Sequence, residues 1–295
     1  MITFSREVLL AKEKNSPIVA LESTIIAHGL PRPRNLQVAK DVENLVRKNG
    51  ATPATIAIID GNIHVGLEEF ELDRIANESD VVKASIRDLP IIKSKKLTAA
   101  TTVAATSQIS HLAGIEIFAT GGLGGVHRGE TLDESADLLS LATIPVLVVC
   151  AGVKSILDIP ATLERLETLS VPLLGFKTRN FPGFYLADSG LTLEHSVDTP
   201  KEIAEIWQAR KSTGLSKKGM VVASPTQNPM ARELHDKLLL EGVQAAEDNH
   251  VSGKEVTPFL LEYFHSNSNG ESLRVNEEII RANASLAAQI ALANV

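Results

Sequence analysis

A glycine-rich segment near the middle of the chain, Ala119 to Asp137 (ATGGLGGVHRGETLDESAD), limits the possible folds more than any other stretch. It follows an apolar run, Ile115 to Ala119, whose length and β-branched residues predict a buried strand. We expect its glycines to adopt positive φ and to bring backbone N–H groups close to a phosphate. A glycine hinge before a solvated acidic helix explains the segment about equally well. The four glycines are Gly121, Gly122, Gly124 and Gly125.

The remainder of this glycine-rich segment divides by charge. His127 and Arg128 form a cationic half that can hold a phosphate. The acidic half can hold a divalent cation or sugar hydroxyls, and it contains Glu130, Asp133, Glu134 and Asp137. A dinucleotide-binding fingerprint is excluded, because the G-x-G-x-x-G frame that starts at Gly122 requires a glycine where His127 stands.

Composition excludes several classes of protein. The net charge of −7, the pI near 5.7 and the 4% aromatic content argue against a nucleic-acid partner. Cys150 is the only cysteine, so no intrachain disulfide can form. No apolar run approaches the length that a bilayer requires, so we expect no membrane association. The single cysteine fits a reducing compartment, and we expect a cytoplasmic protein.

Apolar strand candidates alternate with amphipathic helices along the chain. Ile18 to Leu21 and Pro145 to Cys150 are typical of buried strands, and Leu36 to Lys48 keeps helical spacing. The predicted fold class is therefore α/β, with a mostly parallel central sheet flanked by helices on both faces, in a single domain over residues 1–295. We expect Thr55 to Gly66 to form an edge hairpin and Leu97 to Ala113 to form a helix.

Two charged residues stand beside apolar strands. Glu22 ends the strand Ile18 to Leu21, where a buried carboxylate is costly without partners. A helix cap or a half-exposed ion pair is the alternative for Glu22. Lys83 interrupts the apolar run Val81 to Ser85, and it either extends to solvent or faces an anion.

Lys154 follows the most hydrophobic strand of the chain. Desolvation there favours the neutral amine, which can attack a carbonyl-type carbon. A surface lysine near a helix start is the alternative. An aromatic loop, Asn180 to Tyr185, either stacks on a planar base as a lid or packs locally.

These residues converge if the strands are parallel, because the carboxyl ends of parallel strands meet at one edge of the sheet. Glu22, Lys83, the glycine-rich segment and Lys154 then share one crevice. A carboxylic acid, a neutral lysine and a phosphate cradle together suit lysine-imine chemistry on a phosphorylated sugar.

Long motifs recur in register from about Glu13 to Val295: VALESTIIAHGLPRPRN, NGATPATIAIIDG, ATTVAAT, TGGLGGVHRG, DESADL, CAGVKSILDIPATLERLET, FPGFY and VTPFLLE. In these motifs the chain resembles the pseudouridine-5'-phosphate glycosidase family, also described as indigoidine synthase A-like proteins. The resemblance implies a homotrimer with an α/β/α core and a divalent metal, typically Mn²⁺. The implied reaction is reversible cleavage of the C–C glycosidic bond of pseudouridine 5'-phosphate to uracil and ribose 5-phosphate.

Site residues carried over from the resemblance have defined roles. Lys154 is the nucleophile that forms an imine with the ring-opened sugar, Glu22 is the proton donor and Asp133 is the metal ligand. The implied substrate contacts are Lys83, Thr102, Val103, Thr120, Gly121, Gly122, His127, Ser135, Ala136, Asp137 and Asn276. Two stretches depart from the family pattern: His127 to Asp133 is shorter than its common form, and Ser224 to Pro229 replaces an N-P-I-P-like stretch.

Two alternatives stay open from the residues themselves. One is a lysine-imine lyase or aldolase that acts on another sugar phosphate. The other is a phosphosugar-binding protein that uses the glycine-rich segment alone, for which Glu22 and Lys154 are dispensable.

Overall fold

The computed structural model describes residues 2–129, 133–251 and 256–294. The strands are β1 (Ile2–Phe4), β2 (Ile18–Leu21), β3 (Thr52–Ile59), β4 (Asn62–Val65), β5 (Val82–Ala84), β6 (Ala99–Thr101), β7 (Ile117–Ala119), β8 (Leu147–Cys150), β9 (Leu173–Phe176), β10 (Ser196–Val197) and β11 (Met220–Ala223). The helices are α1 (Arg6–Glu13), α2 (Thr24–His28), α3 (Arg34–Lys48), α4 (Glu69–Asn77), α5 (Leu89–Lys95), α6 (Val103–Leu112), α7 (Ala136–Thr143), α8 (Ile159–Thr168), α9 (Pro200–Ala209), α10 (Arg232–Asp248), α11 (Val256–Asn267) and α12 (Glu271–Ala293). None of the helices in these ranges combines the length and apolar composition that crossing a membrane demands.

The described strands form one open, mostly parallel sheet. Its order is β1-β4-β3-β2-β7-β8-β11-β9-β10, and β6 and β5 branch from β3. Within the described residues, only the β3–β4 and β3–β6 pairs are antiparallel. The predicted α/β class with a mostly parallel sheet is confirmed.

The predicted hairpin is formed by β3 and β4, with Ile59 paired to Asn62 across the turn. It lies near one end of the sheet, where β1 pairs with β4 in parallel and becomes the outermost strand. The sequence pattern did not indicate β1, because three residues next to the N-terminus are too few to show an alternation.

The predicted helix over Leu97 to Ala113 is wrong in its first part. Residues 99–101 form β6, which pairs with β3 and β5, and α6 begins only at Val103. The Thr101 hydroxyl donates to the carbonyl of Ile56 at 2.8 Å, so this β-branched residue is held in the sheet. Thr102 then caps α6, because its side chain accepts from the N–H of Ala105.

Helices cover both faces of the sheet. Alternate residues of each central strand enter different cores: Val19 and Leu21 face α3, α9 and α12, whereas Ala20 of the same strand faces the opposite layer. That opposite layer contains α1, α6, α7, α8, α10 and α11. The two layers leave the carboxyl ends of β2, β7 and β8 together, and the candidate site is built there.

Candidate active site

Glu22 is the first residue after β2 and is only 8% exposed. Its carboxylate accepts a hydrogen bond from the hydroxyl of Thr120, the first residue after β7. The two residues meet because β2 and β7 are parallel neighbours in which Leu21 pairs with Ala119. Glu22 is therefore a buried acid and not an exposed cap.

Burial raises the pKa of the Glu22 carboxyl. The positive charge of Lys154 and the hydrogen bond from Thr120 act against this shift, Asp137 adds to it, and Lys83 acts against it. The structure thus places Lys154, Asp137 and Lys83 within electrostatic range of Glu22. A glutamate in this position holds its proton to a higher pH than an exposed one, as a proton donor requires.

Lys154 reaches the same sheet edge through a tight turn after β8. Gly152 has a φ of +79°, and a Cβ atom there would lie 1.9 Å from the carbonyl oxygen of Pro182, so only glycine fits. Two residues later, the N–H of Lys154 donates to the carbonyl of Leu123 at 3.1 Å. The Lys154 side chain is half-buried, and within the described ranges Nζ makes no hydrogen bond or ion pair. This amine is free to meet a ligand, whereas its role as a nucleophile stays a prediction.

The expectation of positive φ is wrong for the four loop glycines, since none of them has a positive φ. They serve close packing instead. A Cβ at Gly122 would lie 2.5 Å from Cδ2 of Phe184, and one at Gly124 would lie 2.3 Å from Oγ of Ser135. The loop therefore passes directly against its neighbours, which the glycines permit because they have no side chain.

The amide groups of this loop that have no partner within the described part of the chain include those of Gly121 and Gly122. The N–H of Leu123 donates to the carbonyl of Gly152 and that of Gly124 donates to Asp137, but the N–H groups of Gly121 and Gly122 donate to nothing there. These two N–H groups can donate hydrogen bonds to an anion, as the sequence predicted for the segment.

Asp137 joins two parts of the site. Its Oδ1 accepts from the N–H of Ala104 at 3.0 Å, in the first turn of α6, and its Oδ2 accepts from the N–H of Gly124 at 2.8 Å. Ser135 caps α7, because its hydroxyl accepts from the N–H of Asp137, and Ala136 is exposed. Both Asp137 oxygens are thus committed to the protein backbone, and the predicted substrate contacts of residues 135–137 stay predictions.

Lys83, Thr102 and Val103 come together through the β5–β6 pair. Lys83 is exposed in β5, and the carbonyl of the following residue, Ala84, accepts from the N–H of Thr102 at 2.9 Å. Val103 is 2% exposed. The start of α6 is thereby fixed next to Lys83, on the side of the sheet edge that Glu22 occupies.

His127 and Asp133 form a separate pair in the same loop. Nδ1 of His127 lies 3.0 Å from Oδ2 of Asp133, but the angles between the two groups are not those of a hydrogen bond. Nε2 of the same ring is hydrogen-bonded to the Thr257 hydroxyl at 3.3 Å. Glu130 lies outside the described residues. In residues 2–129, 133–251 and 256–294, no group of three or more His, Cys, Asp or Glu side chains is arranged to hold a metal.

The donor set around Asp133 nevertheless fits a small hard cation. Mg²⁺-like ions often take one or two carboxylates from the protein and keep several waters, with substrate phosphate completing the shell. The Asp133 side chain is 36% exposed, so its carboxylate is open to water and to a ligand.

Asn276 projects from α12 towards the loop. It is 4% exposed, its Oδ1 has no hydrogen-bond partner in the described part of the chain, and this oxygen lies 3.6 Å from the position of a Cβ at Gly121. A buried carbonyl oxygen without a partner is costly, which favours the predicted role in contacting substrate.

Asn283 is a supporting residue that the sequence reasoning missed. Its amide nitrogen donates to the carbonyl of Thr120 at 2.8 Å and so holds the end of β7 against α12. The signal was present, because Asn283 is a polar residue within the apolar stripe of the last helix.

The aromatic loop packs locally. Phe181, Phe184 and Tyr185 are each at most 2% exposed, and the Tyr185 ring stacks on Phe264 with centroids 5.3 Å apart. The alternative of a lid that stacks on a base is wrong for these buried rings.

A family model described as "Indigoidine synthase A like protein" matches residues 7–293. Among curated relatives, a protein of Salinispora tropica named pseudouridine-5'-phosphate glycosidase is 54% identical over 98% of this chain and 90% of its own length. A protein of Staphylococcus aureus with the same name is 47% identical over 99% of this chain and 96% of its own length.

Two solved structures share the fold over nearly the whole chain. One is an indigoidine synthase A-like protein from Thermotoga maritima, with a TM-score of 0.90 and 35% identity, covering 99% of this chain and 96% of the other. The second is the prealnumycin C-glycosynthase AlnA in complex with ribulose 5-phosphate, with a TM-score of 0.91 and 30% identity, covering 100% of this chain and 97% of the other.

Proposed function

The chain belongs to the indigoidine synthase A like protein family, and from this membership we propose that it is a pseudouridine-5'-phosphate glycosidase. It cleaves the C–C glycosidic bond of pseudouridine 5'-phosphate to uracil and ribose 5-phosphate, reversibly. The observation that carries the proposal is the position of Glu22, which follows β2, and Lys154, which lies in the turn after β8, at one edge of the parallel sheet. The name shared by relatives about 50% identical over nearly the full chain supports it.

The chemistry needs a nitrogen lone pair to expel the base, because a carbon leaving group is poor. Nζ of Lys154 attacks the anomeric carbon, the bond from that carbon to the ring oxygen breaks, and the ring oxygen takes a proton from the nitrogen, which leaves an open-chain secondary amine. The bond to the uracil carbon then breaks while Glu22 delivers its proton to that carbon, and the nitrogen lone pair forms the double bond of a protonated imine with the anomeric carbon. Water hydrolyses the imine, which returns the amine to Lys154 and releases ribose 5-phosphate. The overall reaction converts pseudouridine 5'-phosphate and water to uracil and ribose 5-phosphate, and the proton released on hydrolysis replaces the one that Glu22 gave.

Binding groups surround this pair. The N–H groups of Gly121 and Gly122, together with Lys83, can take the phosphate, and Oδ1 of Asn276 can accept a hydrogen bond from the substrate. We assign Asp133 to hold Mn²⁺, with His127 beside it. A divalent cation there would neutralise phosphate charge and orient the sugar. We also propose a homotrimer in the cytoplasm, on the basis of the resemblance alone.

The direct test is release of uracil from pseudouridine 5'-phosphate, measured with Mn²⁺ and with chelator. We expect uracil with Mn²⁺ and much less after chelation. A wild-type protein that releases no uracil under either condition would refute the proposed function.

Lys154 is tested with a matched pair of variants. Lys154→Ala removes the amine, and Lys154→Arg keeps a positive charge near Glu22 but cannot form an imine. We expect both to lose turnover by at least about a thousandfold, because the covalent route is lost, with unchanged circular dichroism. Borohydride with ribose 5-phosphate should trap an adduct on Lys154 in the wild type, read by mass spectrometry of peptides. Retained turnover in folded Lys154→Ala would remove the nucleophile from the mechanism.

A lyase or synthase acting on another sugar phosphate is the second candidate, and similarity to AlnA with ribulose 5-phosphate favours it. The trapping reaction separates the two. Both candidates give a lysine adduct, but only the glycosidase forms pseudouridine 5'-phosphate from uracil and ribose 5-phosphate. A phosphosugar-binding protein would give neither product, and its affinity for ribose 5-phosphate would survive Glu22→Gln and Lys154→Ala.

A further inference from the structure

The aromatic loop lies directly against the two turns that build the candidate site. The N–H of Phe184 donates to the carbonyl of Ala151 at 2.9 Å, and the N–H of Ala151 donates to the carbonyl of Gly121 at 2.9 Å. The backbone of Ala151 therefore connects the aromatic loop to the glycine-rich segment. Lys154 follows Ala151 by three positions, so the turn that carries this amine is held between the two.

Phe184 adopts a backbone conformation that is unusual for its residue type. Its φ is +55°, in the left-handed region, where a residue with a bulky side chain is an outlier. The residue is also only 2% exposed. Such a conformation persists only where the surrounding structure enforces it, and residues of this kind cluster at sites that bind ligands or carry out chemistry. The conformation of Phe184 therefore indicates a purpose beyond filling the core.

The ring of Phe184 packs on the glycine-rich segment at the two residues whose N–H groups are open to an anion. A Cβ at Gly122 would lie 2.5 Å from Cδ2 and 3.0 Å from Cε2 of the ring, and a Cβ at Gly121 would lie 3.4 Å from Cε2. The ring thus fills the space in which side chains of these two residues would stand. Because protein interiors are close-packed, a rigid ring there prevents the two peptide groups from moving towards it.

Gly122 is fixed by packing, whereas Gly121 is also fixed by a hydrogen bond. The carbonyl of Gly121 accepts from the N–H of Ala151. Within the described part of the chain, neither the N–H nor the carbonyl of Gly122 takes part in a hydrogen bond. The atoms nearest to a Cβ at Gly122 belong to the Phe184 ring and to the carbonyl of Gly152. The position of the Gly122 N–H therefore depends on these packing contacts.

We propose that Phe184 is a positioning residue, which holds the N–H groups of Gly121 and Gly122 in the orientation that binds the phosphate of the substrate. The inference rests on the proposed function, in which these N–H groups take the phosphate of pseudouridine 5'-phosphate. Phe184 acts through the backbone of the loop. Donors that are fixed before the anion arrives lose little freedom on binding, so the phosphate is bound more tightly.

The test compares two substitutions in one aromatic cluster. Phe184→Leu removes the ring but leaves the backbone strain unchanged, because neither residue is branched at Cβ. The control is Phe264→Leu, which removes a fully buried ring that stacks on Tyr185 with centroids 5.3 Å apart. No atom of Phe264 is among those nearest to a Cβ at Gly121 or Gly122. Circular dichroism and chemical unfolding establish that both variants are folded.

The assay measures KM and kcat for the release of uracil from pseudouridine 5'-phosphate, and the inhibition constant of inorganic phosphate. In Phe184→Leu we expect KM and the inhibition constant to rise together by about tenfold, the size of one lost hydrogen bond to a charged group. We expect kcat to stay within about threefold of the wild type, because the phosphate is remote from the bond that breaks and is bound equally before and during the reaction. Phe264→Leu should change each of these values by less than about twofold.

A size exchange tests the contact itself. Gly122→Ala adds a methyl group 2.5 Å from the ring, and because Gly122 has no positive φ, the clash is the main change. Alone, it should raise KM by about tenfold, because the ring and the loop are forced apart. When Phe184→Ala is combined with it, the methyl group has room. The KM of the double variant should then lie at least about threefold below the product of the two single effects.

The positioning role is overturned if folded Phe184→Leu keeps the wild-type KM, or if KM rises while the inhibition constant of phosphate does not. It is also overturned if kcat falls by the same factor, or if Phe264→Leu raises KM as much, because a general loosening of the core gives those results. If Phe184→Leu does not fold, Gly122→Ala decides by the same three values. A wild-type protein that releases no uracil refutes the proposed function, whereas an active wild type with unaffected variants overturns only the role of Phe184.

Discussion

Asp137 holds two buried segments together, and its replacement is a sharp test of how the site is supported. Asp137→Ala removes the acceptor of the Ala104 N–H at 3.0 Å and of the Gly124 N–H at 2.8 Å. A buried donor left without a partner costs about 1–3 kcal/mol. Because Ala104 is fully buried, the cost of leaving its N–H unpaired lies near the upper end of that range. The hydrogen bond from Gly124 is only partly buried, so the cost of losing it lies near the lower end. We therefore expect the free energy of unfolding to fall by about 4 kcal/mol.

The measurement is unfolding in urea, followed by the fluorescence of Trp207. This residue is the single tryptophan of the chain and is fully buried, so its emission reports loss of the core. Protein concentration is held constant, because any oligomer makes the midpoint depend on it.

Two variants bracket the result. Asp137→Asn keeps one oxygen for one of the two N–H groups and should lose about half as much free energy as Asp137→Ala. Asp80→Ala removes an exposed aspartate and should change the free energy of unfolding by less than about 0.5 kcal/mol. If Asp137→Ala also stays within about 0.5 kcal/mol of the wild type, the two hydrogen bonds do not support the site and the reasoning is refuted.

Two further outcomes are expected. Gly152→Ala should destabilise the protein by more than about 3 kcal/mol, because the added Cβ would lie 1.9 Å from the Pro182 carbonyl oxygen. Gly190 also has a positive φ but has nothing within 4 Å of an added Cβ, so Gly190→Ala should cost only about 1–2 kcal/mol of backbone strain. Similar losses for the two variants in urea unfolding would contradict the packing argument. Burial raises the pKa of folded Glu22 above its ordinary value of 4.5, so the wild type loses stability as pH rises from there through the folded pKa. As pH rises, the free energy of unfolding of Glu22→Gln should therefore increase relative to that of the wild type. A difference between the two proteins that does not change with pH would show that the pKa of Glu22 is not raised.

The sequence alone determined the local elements and the class of fold. The apolar run at Pro145 to Cys150 and the helical spacing of Leu36 to Lys48 are read from neighbouring residues, because period and propensity are local properties. Alternation of such elements predicts a parallel sheet with helices on both faces, and parallel strands bring Glu22, Thr120 and Lys154 to one edge. Motif resemblance supplied the chemistry that these residues were expected to perform.

Only the tertiary structure decided what the loop glycines do. Their predicted positive φ is wrong. Gly122 packs against Phe184, which is distant in the chain, and Gly124 packs against Ser135, which the folding of the same segment brings back onto it. The strand β6 likewise needs its partners β3 and β5 on either side, and a short run rich in alanine and threonine reads as helix until those partners are known.

The same reason explains why Glu43, on α3, is buried although the sequence did not indicate it. In the sequence, Glu43 is one more glutamate in a charged amphipathic helix, and it stands 21 positions after Glu22. Its burial and its hydrogen bond from the Thr55 hydroxyl arise from packing α3 against the β2–β3 pair. Distances between residues far apart in the chain are properties of that packing, so no local pattern carries them.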